Sequence, residues 1–401
     1  MKFEKIKLNE ICKRITSGGT PKSSIKEYYY PKEIPWLKTA EVNYTRIYDT
    51  NTYISKEGLS KSSAKLIPQN SVIVAMYGQG DTAGRVAINK IPLCTNQACC
   101  NLIINEKLAD YNFVYYALSN LYDEMVALKN GGAQPNLNAK IIKSFEIPFP
   151  NVIVQKNIAE ILSKYDDLIE NNQKQIKLLE EAAQRLYKEW FVDLHFPGYE
   201  DTKIVDGVPE GWKIELIGKK FKTVLGGTPS RSIAKYWNGD IPWINSGAVN
   251  NLRIIRESEF ISKEGLFNSS TKMMPRHTTI VAITGATLGQ VSYTEIETCA
   301  NQSVVGIYDT SNIYDIYLYL FISNQIEEII LKATGGAQQH INKNIINEYE
   351  ILLPEKGVMD KLNYLTKPIF EKIYGLFKMN NHLTEARDRL LPKLMSGEIE
   401  V

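Results

Sequence analysis

The chain has 401 residues, 44% hydrophobic and 23% charged, with a formal net charge of +2, the profile of a globular protein too long for one core. Its first residues, Met1-Lys2-Phe3-Glu4-Lys5-Ile6-Lys7, lack an apolar signal segment, and no run of about 18 uncharged apolar residues follows, so a cytoplasmic protein with no membrane partner is expected. The charge excludes polyanion binding by bulk attraction alone: residues 1–150 carry 19 Lys/Arg against 13 Asp/Glu, whereas residues 200–354 carry 14 against 17.

In chain order, Gly18-Gly19-Thr20-Pro21 comes first, then Ile34-Pro35-Trp36 and Ile54-Ser55-Lys56-Glu57-Gly58-Leu59. The stretch Ser71-Val72-Ile73-Val74-Ala75-Met76 predicts a short buried strand, followed by the glycine-rich loop 77–85. Cys94-Thr95-Asn96-Gln97 and Gly131-Gly132-Ala133-Gln134 complete the set. After Pro150 the apolar residues Val154, Ile158, Ile161, Tyr165, Leu168, Ile176, Leu179, Ala183, Leu186 and Trp190 alternate at steps of three and four, with Asn172 in the seam, which predicts a long coiled-coil helix. A Pro, Gly and acidic link through Phe196-Pro197-Gly198 and Val208-Pro209-Glu210-Gly211-Trp212 marks a boundary.

Everything then recurs in the same order. Gly226-Gly227-Thr228-Pro229 stands at an offset of 208 (226 against 18), Ile241-Pro242-Trp243 at 207 (241 against 34), Ile261-Ser262-Lys263-Glu264-Gly265-Leu266 at 207 (261 against 54), Cys299-Ala300-Asn301-Gln302 at 205 (299 against 94) and Gly335-Gly336-Ala337-Gln338 at 204 (335 against 131). The strand and loop return as 279–283 and 284–290, and after Pro354 a second seam runs through Leu362, Leu365, Ile369, Ile373, Leu376, Leu383, Ala386, Leu390 and Leu394, with Pro368 expected to kink or restart the helix. Five collinear matches mean duplication of a whole domain rather than a solenoid. The expected fold is α+β: two mixed α/β domains over 1–150 and 196–354, related by a pseudo-twofold axis. Long helices over 151–195 and 355–401 separate them and pair antiparallel to cover their apolar stripes.

Catalytic signatures are absent. No Pro-Pro dipeptide, phosphate-binding Gly-x-x-x-x-Gly-Lys-Ser/Thr loop or Gly-x-Gly-x-x-Gly occurs, no proline precedes an aspartate, and the four histidines show no metal-ligand spacing. The five cysteines form no Cys-x-x-Cys and read as reduced thiols packed as small apolar groups. A binding protein without catalytic groups, metal or cofactor is expected.

The ordered motifs, doubled and each followed by a coiled-coil helix, resemble the specificity subunit of type I restriction-modification systems over essentially the whole chain. Val208-Pro209-Glu210-Gly211-Trp212 and the ending Leu391-Pro392-Lys393-Leu394-Met395-Ser396-Gly397-Glu398-Ile399 are similar to that family as well. The resemblance implies two target-recognition domains, each reading half of a split double-stranded DNA sequence, with the paired helices as a ruler. It further implies two methyltransferase (M) subunits on the helices and restriction/translocase (R) subunits beside them, with S-adenosylmethionine and ATP used only by those partners.

Paired donors and acceptors read base edges, and glycine-rich loops let the backbone approach phosphates. The candidate DNA-binding residues after the double glycines are Gln134, Asn136 and Asn138 in the first copy and Gln338, Gln339, His340 and Asn342 in the second. The alternative for Asn138 and Asn342 is that they cap the helices that follow. Tyr77, Gln79, Thr82 and Arg85, and Thr284, Thr287 and Gln290, are candidates from the strand loops, where a tight turn with solvated polar groups is the competing reading. Asn96-Gln97 and Asn301-Gln302 are shared by both copies and so suit a structural or phosphate-facing role. Lys38 and Thr39 against Asn245 and Ser246 differ between copies, as residues reading different half-sites should. Thr20, Thr228, Lys22 and Arg231, in or beside Gly-Gly-Thr-Pro, are candidates for phosphate contact.

Overall fold

The computed structural model of the protein describes residues 3–130, 135–332 and 341–401. The chain divides into two units, the first made of Met1–Ile169 with Leu383–Val401 and the second of Glu170–His382.

In the first unit the strands are β1 (Cys12–Ser17), β2 (Ile34–Leu37), β3 (Thr45–Ile47), β4 (Val72–Ala75), β5 (Val86–Asn89), β6 (Leu93–Thr95) and β7 (Cys99–Ile104). A five-stranded sheet runs in the order β1-β7-β4-β5-β3. Every residue of β4 and β5 is buried, which is why their apolar runs do not alternate. All neighbours in this sheet are antiparallel except β3 and β5, which run parallel with Arg46 opposite Ile88. Strands β2 and β6 pair parallel in a smaller sheet, Trp36 opposite Cys94. Helix α1 (Tyr111–Asn120) starts where the Asp110 carboxylate accepts from the Phe113 amide at 2.9 Å, and it buries Phe113, Val114 and Leu118. Helices α2 (Ala139–Ser144) and α3 (Val152–Tyr187) follow, α3 capped by Asn151, whose side chain accepts from the amides of Ile153 and Val154.

The second unit repeats this plan. Its strands are β8 (Lys222–Leu225), β9 (Trp237–Ile244), β10 (Arg253–Ile254), β11 (Thr279–Ala282), β12 (Val291–Thr294), β13 (Cys299–Ala300) and β14 (Val304–Tyr308). The five-stranded order β8-β14-β11-β12-β10 again has one parallel pair, β10 with β12, and Arg253 stands opposite Tyr293. Strands β9 and β13 pair parallel, Trp243 opposite Cys299. Helices α4 (Asp315–Lys332), α5 (Lys343–Asn347) and α6 (Lys356–Ser396) complete the chain. The link between copies is packed into the second unit, with Phe196 against Trp212 at 4.6 Å between ring centroids.

Within each unit the segments of α3 and α6 run antiparallel. In the second, Asn172 meets Asn380 while Ile176 clusters with Ile373 and Leu376; in the first, Asp166 meets Arg387 while Ile158 and Leu162 share a core with Leu394. Helix α6 continues through Pro368, so the expected restart does not occur. Pro368 and Tyr364, the residue whose carbonyl loses its amide partner, are both exposed, so the unpaired carbonyl lies on the solvent side of the helix. Leu168, Leu365 and Ala386 of the predicted seams are exposed. A straight helix drifts from a seven-residue repeat by about 20° per heptad, and here the buried faces also turn toward the sheets.

Candidate nucleic-acid interface

The shared motifs assemble one structural frame in each unit. The Trp36 indole donates to the Gly19 carbonyl at 3.0 Å, and Trp243 donates to Gly227 at 3.1 Å. The Gly19 amide donates to Thr95 and the Gly227 amide to Ala300, while Asn96 and Asn301 donate from their backbones to Leu37 and Ile244. Side chains are excluded at the first glycine: a Cβ on Gly18 would stand 2.2 Å from the Asn96 carbonyl oxygen, and one on Gly226 2.0 Å from that of Asn301. Thr20 donates its hydroxyl to the Gln97 side chain, and Thr228 does the same to Gln302 at 2.5 Å. Gly-Gly-Thr-Pro, Ile-Pro-Trp and Asn-Gln are therefore one knot made twice.

That knot lies beside the end of the central strand. The Met76 amide donates to Ala98 and its carbonyl accepts from Leu137; Ile283 stands in the same way between Ser303 and Ile341. One edge of each five-stranded sheet thus gathers Gly-Gly-Thr-Pro, the strand loop, the Asn-Gln turn and, respectively, Leu137 or Ile341. In both loops the last glycine sits at positive φ, Gly84 at 92° and Gly289 at 82°. Its missing Cβ lets the chain lie against a helix, Val126 in one unit and Ile330 in the other, each under 3 Å from where a Cβ would be.

The candidate residues occupy this edge unequally. Gln79 and Gln290 are exposed at the loops, and Tyr77, Thr82, Thr284 and Thr287 are half-buried. Thr82 donates to the Gln79 carbonyl at 2.6 Å, tightening its turn. Arg85 is held by Asp81 of its own loop at 2.5 Å and by Asn43, just ahead of β3, at 2.9 Å, so its guanidinium is oriented before any ligand arrives. Lys38 and Asn245 are exposed directly after β2 and β9, with Ser246 half-buried. Asn245 caps a turn by accepting from the Gly247 amide, and Thr39 is buried, which leaves it little access to a ligand.

Arg231 is committed to Glu259 at 2.5 and 2.7 Å and lies 3.5 Å over the Trp237 ring, whereas Lys22 is exposed. Asn136 exchanges backbone bonds with Asn130. Asn138 and Asn342 are N-caps, accepting from Ile141 and Ile345 at 3.0 Å. Gln134, Gln338, Gln339 and His340 lie outside the described residues.

Two residues not selected from the sequence are brought into matching places, Arg46 on β3 and Arg253 on β10, both directed onto the long helices. Their separation of 207 (253 against 46) equals that of Ile34-Pro35-Trp36 and its copy, which was the available signal. Burial pushes the Cys94 and Cys100 thiols up to about 12, consistent with packing rather than reactivity. Among the described residues no helix is long and apolar enough to cross a membrane.

Comparison with known proteins agrees with this layout. Residues 1–181 and 209–371 match the family described as type I restriction modification DNA specificity domain. The chain is 27% identical over 400 residues to the type I restriction enzyme MjaIX specificity subunit of Methanocaldococcus jannaschii, covering 96% of this chain and 91% of that protein. It is 31% identical over 182 residues to the EcoR124I/EcoR124II specificity subunit of Escherichia coli, 45% of each. Among solved structures, the S subunit of a type I restriction-modification system from M. genitalium matches with a TM-score of 0.59 at 17% identity, over 98% of this chain and 96% of that one, a likeness of fold.

Proposed function

The chain belongs to the family of type I restriction modification DNA specificity domains, and on that premise we propose that each unit reads one half of a split double-stranded DNA target through the loop edge described above. Such proteins are non-catalytic specificity subunits; methylation and cleavage lie in the M and R subunits with which they work on DNA. S-adenosylmethionine and ATP would be bound by those partners, and this chain would need neither.

The observation that carries the reading is the doubled loop edge with an identical frame and unlike side chains. Where one copy presents Tyr77, Arg85 and Lys38, the other presents Thr284, Gln290 and Asn245. Frames that agree while the polar side chains along their edge differ suit two different half-sites. The antiparallel helices would set the distance between halves, the 36 residues of α3 spanning roughly 54 Å, and would dock the two M subunits.

The test is to co-purify the chain with the methyltransferase subunit encoded beside it, incubate the complex with genomic DNA and S-adenosylmethionine, and sequence the methylated adenines. One bipartite motif with a fixed spacer is expected, and none from the chain alone. Absence of both methylation and specific binding by the complex favours an adaptor that only holds proteins through its helices. Methylation by the chain alone favours an enzyme.

A further inference from the structure

Arg253 belongs to the two-residue edge strand β10, yet its side chain is fully buried. The guanidinium lies 2.5 Å from the Glu180 carboxylate of α3, and its Nη1 donates to the Leu252 carbonyl at 2.9 Å. Three ring faces enclose it: Phe370 of α6 at 4.5 Å, Tyr319 of α4 at 4.8 Å and Tyr293 of β12 at 5.3 Å. The Tyr319 hydroxyl reaches the same carboxylate at 3.4 Å. One cation therefore touches two sheet strands, the helix packed on the sheet, and both long helices.

Arg46 does the equivalent in the first unit with different partners. Its side chain is only 8% exposed; it pairs with Asp167, lies 3.9 Å from Asp166 and donates to the Ser163 carbonyl at 3.3 Å, all on α3. Asp166 also receives Arg387 of α6 at 2.6 Å and the Tyr116 hydroxyl of α1 at 2.5 Å. The repeat counterpart of Asp166 is Phe370 (370 against 166, the 204 offset), so the same spot beneath the arginine holds a carboxylate in one copy and a ring in the other. Glu180 then supplies the missing charge from the opposite helix.

A buried ion pair is a poor source of stability, because desolvation offsets the attraction and apolar replacements are often neutral. What it does supply is direction: the ion pair to Glu180, the Nη1 bond to Leu252 and three ring faces around one planar guanidinium are met together in one orientation only. Burial pushes the Glu180 carboxyl up, with Arg253 opposing, so the site is taxed rather than comfortable. Both copies keep this arrangement although their partners differ.

We infer that Arg46 and Arg253 are positioning residues that fix the angle between each loop edge and the long helices, so that both half-sites are engaged at one spacer length only. The inference rests on the two-half-site reading and assigns it a mechanical cause. Two linked modules gain from each other only when their geometry permits simultaneous contact, and a hinge that loosens forfeits that gain without touching either module's own affinity.

The experiment uses the complex with its methyltransferase subunit and three duplexes: the intact target defined by mapped methylation sites, either half alone, and the target with its spacer changed by one base pair. Arg253→Met and Arg46→Met should leave half-site affinity within about threefold while weakening the intact target about tenfold or more and flattening the preference for the native spacer. Arg253→Lys should restore part of that preference. Glu180→Gln, which removes the charge while keeping shape, serves if the methionine variant does not fold, and should flatten the preference too.

Variants matching the wild type on the intact target and on both spacers overturn the inference alone. So does a half-site loss as large as the intact-target loss, which would mark ordinary structural damage. A wild-type complex without sequence preference overturns the half-site reading, and the inference with it.

Discussion

The hydrogen bond from the Asn172 amide to the Asn380 side-chain oxygen, 2.8 Å long, sits in an otherwise apolar helix contact. The repeat supplies its own control. Asn172 corresponds to Leu376 and Asn380 to Ile176, both at the 204 offset, so the Asn172–Asn380 pair has Ile176–Leu376 as its counterpart in the same contact. Asn172→Leu alone leaves the Asn380 amide facing an alkyl group, at a cost of about 1–3 kcal/mol for a partly buried polar group without its partner. Asn380→Leu does the same to the fully buried Asn172.

The double variant copies a pair that the structure already accommodates one helical turn away, and should be within about 1 kcal/mol of wild type. The coupling between the two sites is then on the order of 2 kcal/mol. Urea unfolding followed by tryptophan fluorescence suits the measurement, since Trp190, Trp212, Trp237 and Trp243 lie in the second unit and Trp36 alone in the first. Near-neutral, additive single variants would refute the reasoning, as would a double variant as unstable as the sum of the singles. A pair that adds no stability but forbids slippage by a heptad is how a buried asparagine sets register.

Arg85→Gln, which installs the residue of the second copy, should alter the first half of the methylated motif by about 10- to 100-fold in preference and leave the second half unchanged; a methylation map of the variant decides. Gly226→Ala would set a Cβ against two backbone carbonyls, 2.0 Å from Asn301 and 2.6 Å from Ala300. It should cost about 2 kcal/mol or more in thermal unfolding, since both oxygens are backbone atoms already held by hydrogen bonds, from Val304 and Gly227. Asp315 is raised to about 7, first by burial and then by Asp309, against the pull of Lys367. The folded protein holds that proton more tightly than the unfolded chain, so its contribution is fully present below about pH 4 and is lost as pH rises through 7. Asp315→Asn should therefore stabilise the second unit by a few kcal/mol, roughly 3, at pH 8 and hardly at pH 4, as melting curves at the two pH values would show.

The duplication, the central strands and both long helices were legible because they rest on local order: motif spacing, β-branched runs and heptad seams. Asn138 and Asn342 were legible as caps for the same reason. The frame was legible as a set of shared motifs but not as a knot, because the bonds from Trp36 to Gly19 and from Thr20 to Gln97 join residues distant in sequence. Arg231 suits phosphate contact by its place in the sequence, but Glu259 and Trp237 engage it from positions that spacing does not reveal, and Thr39, a candidate for specificity, is buried. Pro368 suggested a kink or restart, since sequence does not say which side of the helix faces water. Arg46 and Arg253 were not legible because charged residues on short strands usually face solvent, and only tertiary packing turns these two inward.

The negative balance of the second copy looked unfavourable for DNA, but summed charge is a poor guide to the loop edge. Glu259, Glu264 and Glu295 are each paired with a neighbouring base, Arg231, Lys235 and Arg276, and Asp309 and Asp315 are buried. The loop 284–290 contains no charged residue at all. Contact there would rest on hydroxyls, amides and backbone, whereas Lys22 and Lys38 are exposed at the corresponding edge of the first copy. Each phosphate neutralised by a lysine adds about 0.9 to the slope of log affinity against log salt. Half-site duplexes titrated at several salt concentrations should therefore give a steeper slope for the first half than for the second. Lys22→Ala with Lys38→Ala should remove up to about two units of slope from the first half alone. Equal slopes for the two halves, unmoved by these substitutions, would mean that the lysines do not face phosphate and that the loop edge is not where the backbone is held.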